Sequence, residues 1–269
     1  MRQIVRAYLA YLRAGIGVMF QYRGEIVLWA VWGLVNPLVL YSMWSSAAES
    51  DPGGQIAGYT RGGFAAYFFL VMIVGHFTTA WDVYEMSYMV RKGTLSSMLL
   101  RPLMPIWKSL ADNTAYKVTT LLFVVPMWCL IAWLIKPEFA TTPWHLAVGS
   151  VALLLAAALS FFLGYLVSLA SFWATKLDML GEVYFAFAFY LGGRFAPLET
   201  LPPPVEAVAR ALPFRWMYAF PVEVLTGQTT SLAAAASGIG VQVVWLAGVV
   251  IAFRSLWSAA VKRYTAVSG

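Results

Sequence analysis

The sequence predicts an all-α polytopic membrane protein with six transmembrane helices, folded as one membrane domain over residues 1–269. Of its residues, 61% are hydrophobic and only 11% are charged, whereas ordinary globular domains carry roughly 25% charged residues. Several apolar runs reach the ~20 residues that a helix needs to cross a bilayer. These runs are continuous, whereas a membrane β-barrel shows alternating segments of about ten residues.

The first 25 residues predict an amphipathic helix that lies flat at the membrane surface. Its apolar residues recur at helical spacing and its arginines stand apart from them. The apolar stripe consists of Ile4, Val5, Tyr8, Leu9, Leu12, Ile16 and Met19. Such a helix keeps its arginines among anionic headgroups; the alternative is a helix packed against the rest of the protein. Because Arg6 and Arg13 interrupt the segment, we predict no cleavable signal peptide.

Six apolar stretches follow this segment. They cover about 26–46, 64–84, 118–135, 145–173, 179–193 and 235–257. The first contains Pro37, which removes a helical hydrogen bond and usually kinks a spanning helix. The fourth repeats Ser160, Gly164 and Ser168 every four residues, which favours close helix packing. The fifth stretch is too short to span upright.

The distribution of basic residues predicts the orientation. Six spans place both termini on the same side, and an N-terminus inside puts thirteen of the eighteen lysines and arginines in the cytoplasm. Since cytoplasmic loops carry an excess of these residues, both termini are predicted to be inside. Residues 85–117 are then cytoplasmic, and residues 193–228 form an outer segment.

The sequence contains few residues that could carry chemistry. It has two histidines, His76 and His145, and a single cysteine, Cys129, inside an apolar run. No H-E-x-x-H motif, Cys/His cluster or G-x-x-x-x-G-K-[ST] phosphate loop occurs. We interpret His76 as a packed or pore-facing polar residue, and we predict no catalytic, cofactor-binding or metal-binding residue. A polytopic membrane enzyme or scaffold remains the alternative function.

Acidic residues argue against an ion-coupled transporter, which places paired ionisable groups near mid-bilayer. Asp82, Glu85 and Glu182 are all predicted near cytoplasmic span ends. The two halves of the chain show no clear inverted repeat.

The cytoplasmic stretch "RKGTLSSMLLRPL", residues 91–103, predicts a helix of about two turns parallel to the membrane. An apolar face at i, i+3 and i+4 spacing projects from it, and a proline ends it. Helices this short need a partner surface, for which a groove on a cytoplasmic protein is a candidate; the alternative is the lipid headgroups. The predicted contact residues are Thr94, Leu95, Met98, Leu99, Arg101 and Pro102.

The outer segment, residues 193–228, is broken by six prolines. Prolines are tolerated in the first turn of a helix, so Pro202–Pro204 predict a helix start. We interpret the segment as re-entrant outer helices that form a gate; an ordinary interfacial loop is the alternative. The predicted gate residues are Arg194, Pro197, Val205, Val208 and Leu212.

A cytoplasmic helix followed by "LLRPL" between the second and third spans resembles the coupling region of type-two ATP-binding-cassette (ABC) exporter permeases. More narrowly, it resembles an uncharacterised permease branch in which "LxRPL" follows a basic-Gly pair. The amphipathic N-terminal helix, the six spans and the outer segments "GGRFAPLETLP" and "LPFRWMYAFP" agree with this resemblance over essentially the full length.

The resemblance implies a dimer of permease subunits in a bacterial-type inner membrane, each contacting a nucleotide-binding ATPase subunit. A heterodimer with a second permease is favoured and a homodimer is the alternative. ATP and Mg²⁺ would bind the partner ATPase, membrane lipids would surround the chain, and no nucleic acid would be involved. The implied function is export or flipping of amphipathic lipids, drugs or glycans. The predicted substrate-path residues near the dimer axis are Trp29, Asn36, Tyr41, Phe185 and Phe189.

Overall fold

The computed structural model describes residues 2–173 and 178–264. Within these residues the chain is helical, and its only β-type pairing is an isolated bridge between Ile56 and Tyr59. The helices are α1 (Arg2–Gln21), α2 (Arg23–Ser50), α3 (Arg61–Thr78), α4 (Asp82–Arg91), α5 (Leu95–Leu99), α6 (Ile106–Ile135), α7 (Pro143–Ser168), α8 (Asp178–Tyr190), α9 (Pro203–Ala211), α10 (Pro213–Met217), α11 (Ala219–Thr226) and α12 (Leu232–Arg263). Short 3₁₀ turns occur at Leu169–Phe172 and Leu198–Thr200.

Five segments of the described chain are long and apolar enough to cross a membrane. They are Gly24–Ser50, Arg61–Arg91, Ile106–Ile135, Pro143–Phe172 and Leu232–Arg263. A shorter apolar helix, Met179–Tyr190, occupies the predicted fifth stretch. The all-helical membrane architecture is therefore confirmed, whereas six crossings and the orientation stay predictions. Lys176 and the tail beyond Tyr264, both predicted to be cytoplasmic, lie outside the described residues.

The third spanning helix begins earlier than the sequence predicts. Helix α6 starts at Ile106, so the second half of the predicted polar region 85–117 is helical. Polar residues there suggested a loop, but they are spaced to pair along the helix. Lys108 forms an ion pair with Asp112, and Lys117 donates to Asn113 Oδ1. Such i, i+4 pairs favour helix over loop.

The second predicted span, 64–84, is interrupted between α3 and α4. The hydroxyls of Thr78 and Thr79 donate to carbonyl oxygens one turn back, at 2.7 and 2.6 Å. The break leaves two carbonyls without helical donors, and side chains from other helices supply them. Ser160 Oγ donates to the Thr78 carbonyl at 2.6 Å, and Asn113 Nδ2 donates to the Thr79 carbonyl at 3.3 Å. A helix break inside a membrane domain is tolerated where such partners exist.

Helix α1 packs along α6. This packing agrees with the alternative prediction, a helix packed against the rest of the protein. A methyl group added at Gly15 would lie 3.0 Å from Ala115 Cβ, and Tyr8 donates its hydroxyl to Thr114 Oγ1 at 3.0 Å. The opposite face is exposed, including Val5 and Phe20. A position at the membrane surface stays a prediction.

Helix α11 packs into the bundle against α3 and α7, and its Phe220 side chain reaches α12. Phe220 occupies the space above Gly238, and Leu225 contacts Gly149. Gln242 Nε2 donates to the carbonyls of Ala152 and Trp216, at 3.0 and 2.8 Å. Most of α11 is buried, so this part of the predicted re-entrant segment belongs to the core of the fold.

Candidate functional site

A double-glycine turn after α8 fixes the position of Arg194. Gly193 adopts a φ of +85°, a left-handed conformation that favours glycine. Tyr67 donates its hydroxyl to the Gly193 carbonyl at 2.6 Å, and the Ala219 N–H donates to the Gly192 carbonyl at 2.9 Å. The turn is therefore held from α3 and α11, and the Arg194 guanidinium carbon lies 5.1 Å from the centre of the Tyr218 ring.

Arg194 lines a cleft of about 170 Å³ between α2, α3, α6 and α8. The walls are strongly aromatic, and Arg194 is the only Asp, Glu, Lys or Arg among the lining residues. The large aromatic residues of the walls are Trp29, Trp32, Trp81, Tyr116, Trp128 and Phe185. His76 also lines the cleft, which confirms a pore-facing or packed position for it; its Nε2 lies 3.2 Å from the Lys117 carbonyl.

The cleft lies halfway along the spanning segments. Pro37 is the central residue of the Gly24–Ser50 span and His76 is that of Arg61–Arg91, and both line the cleft. A methyl group added at Gly75 would lie 3.9 Å from a terminal nitrogen of Arg194. The structure turns the Arg194 guanidinium toward Gly75 on α3 and into the cleft, and its predicted place in an outer gate stays a prediction.

Two further cavities adjoin this cleft, and Trp81 and Tyr116 line all three. One, of about 380 Å³, is lined mainly by apolar residues of α1 and α2, such as Val18 and Ile26. The other, of about 410 Å³, is lined by Asp82, Glu85, Lys108 and Asp112. The three cavities therefore lie around the same two side chains, Trp81 in the α3–α4 break and Tyr116 on α6.

The structure brings together only part of the predicted substrate path. Trp29 and Phe185 line the cleft, on either side of Trp81, with ring centres 5.7 and 5.9 Å from it. Asn36 is exposed on α2. Tyr41 and Phe189 pack against the main hydrophobic core, because their positions on α2 and α8 face the bundle.

The predicted coupling helix is present as α5, but its apolar face points inward. Leu95 is completely buried, and Met98 and Leu99 pack against the same cluster, which includes Met86 and Ile106. Leu95 is buried and Met98 and Leu99 are half-buried, so this face anchors α5 on the helices beneath it. Contact of the face with an ATPase stays a prediction.

Other residues of this stretch are exposed. Thr94, Arg101 and Pro102 are accessible, although the Thr94 hydroxyl makes no capping bond. Helix α5 ends at Leu99, as expected before Pro102. Leu100, which the sequence analysis did not single out, is 88% exposed. The sequence could have indicated this exposure, because Leu100 lies one residue outside the i, i+3, i+4 apolar face.

The predicted gate residues do not form one surface. Val205 and Val208 are exposed on α9, whereas Leu212 packs against the main core and Pro197 is buried. Leu212 leaves the α9 face because it is already extended, with a ψ of 158°. Only the part around α9 is therefore free to act as a lid.

Two arginines of the outer segment are ion-paired. Arg210 contacts Glu206 and Glu199 at 2.6 and 2.8 Å, on the surface. Arg215 contacts Glu223 at 2.7 Å, and both side chains are largely buried. Burial raises the pKa of the Glu223 carboxyl above its usual range, and the Arg215 guanidinium opposes this effect.

The arrangement is typical of a multi-pass membrane protein that handles a ligand within the bilayer. The chain matches the family described as ABC-2 family transporter protein over residues 30–268. It therefore belongs to the ABC-2 transporter family, and it is a membrane permease subunit of an ABC transporter that associates with an ATP-binding subunit. No curated protein and no solved structure matches the chain.

Proposed function

We propose that this chain exports or flips an amphipathic molecule, driven by ATP hydrolysis in a separate subunit. The cleft supports a substrate that is partly apolar, because aromatic walls surround one cationic side chain among the described lining residues. The family match supports the class of transporter. The lining of the cleft supports an amphipathic substrate.

The contact with the ATP-binding subunit is proposed at the exposed edge of residues 91–102. Leu100 is the most exposed large hydrophobic residue described, and Arg101 and Pro102 next to it are exposed as well. An isolated exposed leucine needs no explanation, but one followed by an exposed arginine at the end of a short helix fits an apolar groove with an acidic rim. Of the predicted coupling residues, Thr94, Arg101 and Pro102 remain in this proposal.

Movement of α5 would reach the cleft through α4. Leu95 and Met86 belong to the same buried cluster, so α5 and α4 are packed together. Helix α4 begins directly after the break that carries Trp81. A push on Leu100 would therefore turn α4 about the break and shift Trp81, the residue common to all three cavities.

A second permease subunit is proposed against α2. Asn36 is exposed there with apolar residues on either side, including Trp32 and Val39. An asparagine at the middle of a span is unfavourable against lipid and favourable against a polar group of another helix. A photo-crosslinking residue at position 36 is expected to capture a permease subunit, and one at Val244, 71% exposed on α12, lipid alone. Capture of lipid alone at both positions would contradict the proposal that a second permease subunit packs against α2.

Leu95, buried in α5, and Leu100, the exposed residue directly after α5, provide the test of the coupling site. Leu100→Ala is expected to weaken the complex with the ATP-binding subunit by about 10- to 100-fold, since burying one such side chain contributes roughly 1.5–3 kcal/mol. The thermal stability of the isolated permease should not change. Leu95→Ala is expected to destabilise the permease by about 2–5 kcal/mol. Wild-type recovery of the ATP-binding subunit by Leu100→Ala in a pull-down would refute this coupling site.

A further inference from the structure

We propose that the Arg194 cleft binds the anionic headgroup of a single-chain or multi-chain amphiphile, a phosphate or carboxylate, and that the adjoining cavity takes its tail. The assignment to a transported molecule rests on the proposed function. The binding site itself rests on the geometry of the cleft.

Arg194 has no acidic partner among residues 2–173 and 178–264, unlike the other arginines of the outer segment. Arg215 and Arg210 each contact a carboxylate within 2.8 Å, whereas the interaction described for the Arg194 guanidinium is with the face of Tyr218. A guanidinium has five N–H donors. Between membrane-spanning helices, a cation without a counter-charge is costly and marks a functional site. An anionic ligand would supply the missing charge.

The wall opposite Arg194 is suited to an acceptor ligand as well. The Trp128 indole N–H is buried without a hydrogen-bond acceptor in the described residues, although its ring packs on His76. No Asp or Glu lines the cleft. The neighbouring 410 Å³ cavity, in contrast, has three carboxylates, on Asp82, Glu85 and Asp112, against one lysine. An anion is therefore directed to the Arg194 cleft and away from the acidic cavity.

The volume of the cleft decides which part of the ligand it holds. About 170 Å³ is smaller than the roughly 300–1,000 Å³ of pockets that enclose a whole drug-sized molecule. The headgroup of an amphiphile fits into the cleft, and its tail must extend out of the cleft. The mainly apolar 380 Å³ cavity shares Trp29, Trp81 and Tyr116 with the cleft and continues along Val18 and Ile26. One carboxylate, on Glu25, also lines this cavity, and it accepts a hydrogen bond from the Trp29 indole N–H at 3.3 Å. This cavity provides the tail with a path beside α1.

Binding to the purified permease in zwitterionic nanodiscs tests the proposal through tryptophan fluorescence. The probes are dodecyl phosphate, dodecyltrimethylammonium and inorganic phosphate. The two dodecyl probes are used below their critical micelle concentrations. Dodecyl phosphate is expected to bind at least 10-fold more tightly than the cationic probe, and inorganic phosphate at least 10-fold more weakly than dodecyl phosphate. Equal binding of both dodecyl probes would overturn the charge assignment. Equal binding of inorganic phosphate and dodecyl phosphate would overturn the assignment of an amphiphilic ligand, because the cleft would then bind free anions.

Variants on the same outer segment separate the site from general charge. Arg194→Gln should weaken dodecyl phosphate about 10- to 100-fold, the range for hydrogen bonds to a charged group. Arg194→Lys should keep most of the anion preference, and Arg210→Gln all of it. Unchanged binding by Arg194→Gln would refute the site. Arg194→Gln should still recover the ATP-binding subunit in a pull-down, so loss of the headgroup site and loss of the proposed function are distinguishable. The wild-type probe comparison stands even if a variant misfolds.

Discussion

Ser160 donates its hydroxyl to the carbonyl oxygen of Thr78 over 2.6 Å, across 82 positions of sequence. The bond joins the middle of α7 to the end of α3, where the helical ladder stops. Both residues are buried, so no water can replace the serine. The interrupted second span therefore depends on a side chain from the fourth.

Removing this donor should destabilise the membrane domain. Ser160→Ala leaves the Thr78 carbonyl buried without its partner, which costs about 1–3 kcal/mol. Ser150→Ala is the matched control, because Ser150 lies on the exposed face of the same helix and bonds only to Leu146 one turn back. Thermal unfolding in detergent measures both. A Ser160→Ala protein as stable as Ser150→Ala would contradict the role of this bond.

Two glycines of α12 test how tightly α11 is held. A methyl group at Gly238 would lie 2.1 Å from the Phe220 ring, whereas nothing lies within 4 Å of one at Gly240. Gly238→Ala should destabilise the protein by about 1–3 kcal/mol through overpacking. Gly240→Ala should be neutral or stabilising by up to about 1 kcal/mol, because alanine is the better helix former. If α11 is a loosely held lid, both variants will have the same melting temperature.

Much of the fold could be predicted from the sequence, because continuous apolar runs translate directly into helices. The fourth span and its small-residue face illustrate this: Ser160, Gly164 and Ser168 are all buried. The break after Thr78 could not be predicted, since it depends on Ser160 and Asn113, which are distant in sequence.

The candidate site was harder to predict for the same reason. Arg194 follows an apolar block and a Gly-Gly pair, at the start of the segment that the sequence predicts to be an outer gate. Its inward direction is set by bonds from Tyr67 and Ala219 to the turn. Periodicity identifies the apolar face of α5 without identifying what covers it, and the structure shows that the protein itself covers Leu95.

The buried pair of Arg215 and Glu223 should matter more than the surface pair of Arg210. Arg215→Met leaves the Glu223 carboxylate buried and unpaired, which is expected to cost about 3–5 kcal/mol. Arg210→Met removes an exposed pair worth about 1 kcal/mol or less. Thermal unfolding of the two variants at pH 8 measures the difference. Equal destabilisation would show that burial does not decide the strength of these pairs.

The loss in Arg215→Met should depend on pH. Burial already raises the pKa of Glu223, and removal of Arg215 takes away the main opposing effect. A carboxyl whose pKa is raised by folding contributes stability below its unfolded pKa, and this contribution is lost as the pH rises. Arg215→Met should therefore be less destabilised at pH 5 than at pH 8, and Arg215→Met combined with Glu223→Gln should show a flat profile. If Arg215→Met alone is less destabilised at pH 8 than at pH 5, the predicted direction of the pH dependence is wrong.

The orientation can be tested at the two ends of the second span. The excess of lysines and arginines predicts that the loop after α2 is outside and that α5 is inside. Because Cys129 is exposed on α6, the test needs a Cys129→Ser background. Ser50→Cys and Ser97→Cys then introduce one thiol each, at exposed positions. An impermeant thiol reagent added to intact cells is expected to label position 50 and not position 97, and to label both once the membrane is opened. Labelling of position 97 alone in intact cells would invert the topology, and it would place Leu100 on the side of the membrane where no ATP-binding subunit can reach it.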